Sequence, residues 1–465
     1  MAFEAHAGAP ARGPLPGTGR SLAVLLAAPP AAVIGLVRAV WARPSLLVAG
    51  TLLLLCVPAG ARPEEGSALG AVDVSALMLV VVVACRRLSA HGPLPIKGSV
   101  LLALAGLTCA VTVSVLTATD IGLGALGWVR YMEIFVAVPL AVALALRTRT
   151  DVGIVLGAVI AIGLIEGAVG VYQFATGTGA GYGDSQIRAV GTFGSYDIMT
   201  MPSVVTISLL AALAVALGGR GRLRVVAGLC VPVLLAPLAM SLSRGSWLAA
   251  AAASFVVLAM SGWTRLLLAG VVCVLLAVVT VGLAQPDLGV VANRAGSLFS
   301  AERQPDRSVR DRYDLWAAAA GMWRDHPITG VGVKNFRLWT DTYAPLSLSS
   351  GSDISDSVGG FRRVELESPH SLYLLFLSEQ GIVGFLALAA FLLILLVETV
   401  RRLGRTRVSG AERVVGLFAI GLLARYLVSA IDGDLGGPGS VLQGLMLGVV
   451  VWFAGGARPR VYMRS

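Results

Sequence analysis

Charged residues are scarce in this chain. Asp, Glu, Lys and Arg make up 13% of its 465 residues, whereas apolar side chains make up 56%. A soluble globular domain carries about 25% charged residues. The composition therefore excludes a soluble protein and predicts one that crosses a membrane several times.

Cysteine and histidine are also rare, with five and four residues respectively. All five cysteines lie in apolar runs, where a thiol packs as a small apolar side chain. Their spacing indicates neither a disulfide framework nor a zinc site. The carboxylates form no cluster at metal-ligand spacing that would argue for a metal, and no cofactor is expected.

Long apolar runs recur along the whole chain. A run of about 20 residues crosses roughly 30 Å of hydrocarbon as a helix. We predict an all-α membrane protein with about 12 transmembrane helices and a large extracytoplasmic loop between spans 9 and 10. The predicted spans are 44–61, 69–85, 99–117, 121–146, 152–176, 198–217, 224–242, 245–261, 264–284, 371–399, 412–430 and 440–455.

The net charge of +10 reflects topology. If both termini are cytoplasmic, the inner loops and the tail carry sixteen basic residues, and the short outer loops carry only Arg62, Arg188 and Arg244. The positive-inside rule therefore predicts a multi-pass protein of the cytoplasmic (inner) membrane with an extracytoplasmic 285–370 loop. The inner set is Arg86, Arg87, Lys97, Arg147, Arg149, Arg220, Arg222, Arg224, Arg265, Arg401, Arg402, Arg405, Arg407, Arg458, Arg460 and Arg464. A basic surface distributed in this way gives no support to a nucleic-acid partner.

Four regions follow from this pattern. Residues 1–43 form a cytoplasmic lead, in which segment 21–41 is expected to be an interfacial helix because Pro29-Pro30 and Arg38 interrupt it. Residues 44–284 hold spans 1 to 9. Residues 285–370 form the loop, and residues 371–465 hold spans 10 to 12 and the cytoplasmic tail.

The loop begins with a predicted helix. Tyr313, Trp316, Ala320 and Trp323 recur at helical spacing until the sequence Asp325-His326-Pro327 ends the pattern. We expect this apolar stripe to pack against the rest of the protein. The stretch 345–363, rich in Ser, Gly and Asp, is a candidate lid.

Few charged residues lie within the spans, where a charge requires a partner or a water-filled cavity. Arg130 and Glu133 are three residues apart and are predicted to form an ion pair on one helical face. Glu166 and Arg425 could pair with each other or line a cavity, and the sequence does not decide between these arrangements.

The predicted outer ends of the spans carry the candidate site residues. Arg188 precedes span 6 and Arg244 lies in the turn between spans 7 and 8. A guanidinium binds two oxygens at once, so these arginines could hold phosphates at the membrane surface, although contact with lipid headgroups is the simpler explanation for either one alone. The order Ser368-Pro369-His370 predicts a helix cap that places His370 in the first turn of span 10.

These residues together resemble the bacterial O-antigen ligase and polymerase superfamily. The resemblance is dispersed over about residues 185 to 385. It rests on the motifs Arg188 to Phe193, Ser243-Arg244-Gly245, Arg312 to Gly332, Pro369-His370-Ser371-Leu372-Tyr373 and Glu379 to Gly384. Ser371 stands where such proteins more often have asparagine.

The resemblance implies an inverting, metal-independent glycosyltransferase with the multi-spanning C-type fold. Its donor would be a glycan on undecaprenyl diphosphate, and its acceptor a glycan, a lipid or a protein. His370 would be the base that activates the acceptor hydroxyl. Arg188 and Arg244 would clamp the diphosphate, with Arg312 as a third and weaker member of the clamp.

Three alternatives remain open. A polymerase of the same superfamily would extend a chain that is linked to a second carrier. A transporter or flippase of lipid-linked sugars would have the same composition, but it would gather polar residues near mid-bilayer in both halves of the chain. A scaffold for envelope assembly would bind the carrier without turnover.

Overall fold

The computed structural model describes residues 30–58, 70–90, 93–182, 187–194, 197–267, 270, 307–345, 348, 352–356, 360–364, 368–405, 410–433, 435 and 437–456. These residues divide into two compact units, Met1–Arg43 and Pro44–Ser465. In the described part of the first unit, residues 30–43, there is one helix, α1 (Pro30–Ala42). This helix covers the second part of the predicted interfacial segment 21–41, and residues 21–29 lie outside the described residues.

The second unit is dominated by helices. In chain order they are α2 (Ser45–Leu54), α3 (Ala71–Leu88), α4 (Gly98–Leu116), α5 (Ile121–Met132), a π-helical segment (Glu133–Ala137), α6 (Val138–Ala145), α7 (Arg149–Thr176), α8 (Thr200–Gly218), α9 (Gly221–Met240), α10 (Arg244–Ser261), α11 (Arg307–Asp325), α12 (Phe336–Tyr343), α13 (Leu372–Arg405), α14 (Gly410–Ser429) and α15 (Gly437–Ala454).

Seven helices in the described part of the chain are long and apolar enough to cross a membrane. They coincide with predicted spans 3 to 8 and 10, and they comprise α4, the continuous segment Ile121–Ala145, α7, α8, α9, α10 and residues Leu372–Gly404 of α13. Residues Ser45–Leu54 and Gly439–Ala454 form shorter apolar helices. The protein is therefore a helical membrane protein. Most of predicted span 9, residues 264–284, lies outside the described residues.

Close helix packing depends on small residues. A Cβ atom on Gly163 of α7 would overlap the side chain of Ser208 in α8, and a Cβ on Gly421 of α14 would meet Val257 of α10 at 2.7 Å. Lipid tails are as apolar as the side chains, so helices in a membrane associate through van der Waals packing. Small residues at helix contacts allow the backbones to approach closely enough for that packing. The core also contains Tyr131, which meets Phe376 edge-on with ring centroids 5.3 Å apart.

The predicted ion pair within Ile121–Ala145 is confirmed. Arg130 Nη1 lies 2.7 Å from Glu133 Oε2, and it also lies 2.7 Å from Asp73 Oδ1 of α3. The guanidinium thus connects two helices through two carboxylates. Glu133 opens the π-helical segment, a type of distortion that is found mostly as single turns within α-helices.

The long helix α13 is broken inside its membrane segment. Gly381 has φ 62° and ψ −161°, which is non-helical backbone that glycine adopts readily. The free backbone groups at this break bond to the segment after α11. Ile382 N donates to Pro327 O at 2.9 Å, and Gly332 N donates to Glu379 O at 2.9 Å. The loop segment 327–332 is therefore inserted at the break.

The predicted loop helix is confirmed as α11, which ends at Asp325 as expected. Its fully buried face is different from the predicted stripe. Leu315, Ala319 and Met322 are buried against Phe336 of α12 and Leu375 of α13, whereas Tyr313 is 49% exposed. Tyr and Trp side chains of the predicted stripe carry a polar group that favours a position at the edge of the contact. The aliphatic side chains therefore form the fully buried face.

A small sheet adds to the predicted all-α architecture. β1 (Ala180–Tyr182), β2 (Ser352–Asp356) and β3 (Gly360–Val364) form an antiparallel sheet in the order β1-β2-β3. The register pairs Ala180 with Asp356 and Asp356 with Gly360. β2 lies within the candidate lid 345–363, and β3 begins within it and ends one residue beyond it. The sequence does not predict them because backbone pairing, rather than alternating apolar side chains, defines these short polar strands.

Candidate functional site

His370 lies just before α13 and has left-handed backbone geometry, with φ 49°. Its N–H donates to Ser368 Oγ at 3.3 Å. The first bond of α13 runs from Leu375 N to Ser371 O at 2.8 Å, so Ser371 occupies the position of the helix cap. The predicted placement of His370 in the first turn is therefore wrong. Ser368 binds the amide of His370 in a turn and does not cap the helix.

Two neighbouring elements hold this turn in position. On one side, Trp316 Nε1 of α11 donates to Pro369 O at 3.0 Å. On the other side, Leu372 N donates to Ala430 O and to Gly433 O, each at 2.9 Å. His370 is half-buried between these anchors. The turn that connects α14 with α15, residues 430–433, consequently belongs to the site.

Asp432 in this turn joins two further site elements. Its Oδ2 lies 3.5 Å from Arg312 Nη1 of α11. A Cβ atom on Gly245 in the first turn of α10 would overlap the same carboxylate. Burial raises the pKa of the Asp432 carboxyl above its usual range, and the positive charges of Arg312 and Arg425 offset part of this effect.

Arg244 is the first residue of α10 and immediately precedes Gly245. Ser243 caps this helix, since its Oγ accepts from Ser246 N at 3.4 Å. Leu242 has φ 50°, so the chain between α9 and α10 reverses sharply. Arg244 and Arg312 are therefore positioned on two elements that both border Asp432, and both arginines are half-buried.

Arg188 belongs to an extended segment between α7 and α8, and this segment contacts the last residue of α9. Ala189 N donates to Met240 O at 3.1 Å, four residues before Arg244. The adjacent residues are held by Gln173 of α7, whose Oε1 accepts from Val190 N at 3.1 Å and from Gly191 N at 2.8 Å. Its Nε2 donates to Gly191 O at 2.8 Å. One carboxamide thus satisfies three backbone groups next to Arg188.

Glu166 supports the same segment and does not pair with Arg425. Its carboxylate accepts from Thr192 N at 2.8 Å and from Thr192 Oγ1 at 2.7 Å. A Cβ atom on Gly191 would overlap this carboxylate, and Gly191 has φ 65°. The two side chains of α7 therefore determine the path of residues 190–192.

The sheet reaches the site through Arg188. Ala180 N donates to Arg188 O at 3.2 Å, and Arg188 N donates to Ala180 O at 2.9 Å. Because Ala180 also pairs with Asp356, the backbone of the candidate lid is connected to the backbone of Arg188 through one residue. The sheet therefore joins β2 and β3 to the Arg188 segment by backbone hydrogen bonds.

The structure thus connects the four residues predicted from sequence: His370, Arg312 and Arg244 around the 430–433 turn, and Arg188 through the end of α9. Sequence analysis missed Asp432, Gln173 and the function of Glu166 in holding Thr192. The available signal for Asp432 was its position in a short polar turn, Ile431-Asp432-Gly433, on the predicted outer side.

One comparison with known proteins covers much of this region. The family model described as O-antigen ligase matches residues 229–389, from within α9 to within α13, and confirms the resemblance over that segment. Arg244, Arg312 and His370 lie inside the match and Arg188 lies outside it. A search of curated proteins finds no match. One similar solved structure is described as "Structural coordination of polymerization and crosslinking by a peptidoglycan synthase complex". It is 16% identical with a TM-score of 0.43, over 79% of this chain and 99% of that one.

Proposed function

We propose that this protein is a membrane glycan transferase that moves an oligo- or polysaccharide from an undecaprenyl-diphosphate carrier to an acceptor hydroxyl at the outer face of the cytoplasmic membrane. The observation that supports it best is the 430–433 turn, which contacts the segments carrying His370, Arg312 and Arg244. The match to the O-antigen ligase family covers all three residues. The site end of the helices faces outward in this proposal, and both termini are cytoplasmic.

The reaction is a displacement at the anomeric carbon of the donor. The acceptor oxygen forms a bond to that carbon while the bond from the carbon to the diphosphate oxygen breaks, which inverts the anomeric configuration. The His370 imidazole takes the proton of the acceptor hydroxyl. The diphosphate leaves with the bonding electron pair.

Cationic side chains stabilise the leaving group. A departing lipid diphosphate carries more negative charge than the bound donor, so guanidinium groups that contact it favour the transition state over the ground state. Arg188, Arg244 and Arg312 supply these guanidinium groups. Asp432 neutralises part of their positive charge before the donor binds and keeps Arg312 directed toward the site.

The reaction can be tested with the purified protein in lipid nanodiscs. The assay supplies an undecaprenyl-diphosphate oligosaccharide with candidate acceptors and analyses product linkage and chain length. Transfer to a different acceptor molecule indicates a ligase, whereas lengthening of a carrier-linked chain indicates a polymerase. Absence of both products, with transport of the lipid-linked sugar across proteoliposomes, would contradict the proposal in favour of a flippase.

His370→Ala tests the catalytic assignment. We expect a loss of transfer of about 100- to 10,000-fold with donor binding retained, since a general base typically contributes that much. His326→Ala is the matched control, because the His326 ring packs on Trp339 with centroids 5.3 Å apart at the end of α11. Full transfer by a correctly inserted His370→Ala protein would refute the base.

A further inference from the structure

Helix α14 buries two adjacent polar side chains close to the site. Arg425 is 5% exposed and Tyr426 is 6% exposed. Among the described residues, Arg425 Nε and the Tyr426 hydroxyl are buried without any hydrogen-bond partner. Burial of a guanidinium without a partner costs several kcal/mol, because the lost hydration is not replaced. A group retained at that cost calls for a ligand that supplies the missing acceptors.

The position of Arg425 relates it to the arginines of the site. Gly421, one turn earlier on the same face of α14, packs against Val257 of α10 and Leu210 of α8. Arg425 therefore lies one turn nearer the start of α10, where Arg244 is located. The 430–433 turn begins five residues later, and the Arg425 charge acts on the carboxyl of Asp432.

The backbone of Tyr426 is bonded to the first residue of the same turn. Its carbonyl accepts from Ala430 N at 2.9 Å, and Ala430 O accepts from Leu372 N two residues after His370. Tyr373 Oη donates to Leu427 O at 2.9 Å and holds the start of α13 against this end of α14. Arg425 and Tyr426 thus lie beneath the turn that contacts the His370, Arg312 and Arg244 segments.

We propose that Arg425 and the Tyr426 hydroxyl form an inner subsite that binds phosphate oxygens of the lipid-linked diphosphate, an assignment that rests on the proposed function. A guanidinium offers two parallel donors to a phosphate, and a phenol offers one more. Both donors act in a region from which water is largely excluded, which strengthens each bond to a charged oxygen. Arg425 thereby becomes a fourth cation for the diphosphate, placed within the helix bundle rather than at its rim.

The proposal makes a combined prediction for stability and binding. If the guanidinium has no partner until the ligand arrives, Arg425→Gln should not lower the thermal midpoint of the ligand-free protein. The same change should weaken binding of undecaprenyl diphosphate by about 10- to 100-fold, the effect of losing a hydrogen bond to a charged group. A structural arginine would behave in the opposite way, with lower stability and unchanged affinity.

The experiment measures binding of undecaprenyl diphosphate to the full chain in nanodiscs, with undecaprenol as the probe that lacks phosphate. Tyr426→Phe removes one oxygen and conserves shape, so it tests the subsite in a protein that folds, with an expected loss of roughly two- to tenfold. Arg413→Gln is the control, because Arg413 is near the other end of the same helix and donates to Ser261 O at 2.8 Å. It should leave the affinity unchanged.

The outcomes separate this inference from the proposed function. Wild-type affinity for the diphosphate in both Arg425→Gln and Tyr426→Phe would overturn the subsite alone, provided that the wild type binds the diphosphate and transfers glycan. An equal loss for undecaprenol would also overturn it, since the effect would not depend on phosphate. A wild type that binds no undecaprenyl diphosphate and transfers no glycan would overturn both proposals.

Discussion

At the residue scale, one carboxylate organises the candidate site. Asp432 contacts Arg312 and packs against the backbone of Gly245, which directly follows Arg244. A carboxylate between two arginine-bearing elements reduces their mutual repulsion while the site holds no anion. In the proposed reaction, the oxygens of a diphosphate would compete with Asp432 for the same guanidinium groups, so Asp432 would hold the site in place before the donor binds.

Gly245→Ala tests this arrangement. An added Cβ would overlap the Asp432 carboxylate, so Asp432 or α10 must shift and the Arg244 and Arg312 segments separate. We expect at least a tenfold loss of transfer, together with a lower thermal midpoint, as in other cases of overpacking. The measurement is the transfer rate in nanodiscs alongside thermal unfolding of the same preparation.

Gly157→Ala is the matched control for that experiment. A Cβ at Gly157 of α7 meets no atom within 4 Å, so this change should leave transfer unchanged and favour the helix slightly. If Gly245→Ala behaved like Gly157→Ala in both measurements, the contact with Asp432 would have no function.

At the element scale, the site depends on segments that are not helical. The Arg188 segment is extended, the His370 turn precedes α13, and α13 itself is interrupted at Gly381. Each of these segments leaves backbone groups without helical partners, and buried backbone groups require others. Side chains of α7 provide them for the Arg188 segment, carbonyls of the 430–433 turn provide them at the start of α13, and segment 327–332 provides them at the break in α13.

Gln173→Ala removes the carboxamide that binds the backbone beside Arg188. Three hydrogen bonds are lost, so residues 190 and 191 should no longer hold Arg188 in place. Each net hydrogen bond contributes about 1 kcal/mol, and we expect about half of the total to be lost from donor binding, which raises the donor KM roughly tenfold with a smaller change in kcat. Steady-state kinetics with varied donor concentration measures both parameters.

Two further variants interpret the Gln173 result. Gln173→Glu retains an acceptor for the two N–H groups and should recover part of the donor affinity. Thr176→Ala on the same helix removes two exposed bonds of Thr176 Oγ1, to Tyr172 O and to Thr178 Oγ1, and should change neither parameter. An unchanged donor KM in Gln173→Ala would show that Arg188 does not depend on this support.

At the scale of the whole molecule, the orientation of the site end relative to the membrane is a separate prediction. The positive-inside rule predicts that the ends bearing His370 and Asp432 face outward. Undecaprenyl-diphosphate-linked chains would then meet the site in the outer leaflet.

Labelling of single cysteines tests this orientation. In a variant without the five native cysteines, Leu338→Cys, at a position 46% exposed in α12, should react with a membrane-impermeant maleimide in intact cells. Leu223→Cys, at a position 73% exposed between predicted inner arginines, should react only after permeabilisation. The reverse pattern would place the site on the cytoplasmic side.

The sequence by itself determined the class of the protein and the positions of most of its helices. Apolar runs of helical span length must lie in hydrocarbon and must satisfy their backbone groups internally, so seven predicted spans recur as long apolar helices in the described chain. The end of the loop helix at Asp325 and the pair between Arg130 and Glu133 follow from local rules of the same kind.

Only the tertiary structure decided how the site is assembled. The left-handed turn at His370, the contacts of Asp432 with Arg312 and Gly245, and the support of Arg188 by Gln173 each join residues that are distant in the chain or belong to irregular segments. The periodicity of apolar residues predicts one helix at a time. It contains no information about which turn contacts the end of which helix. The helices could therefore be predicted from the sequence, whereas the connections that bring four site residues to one end of the bundle could not.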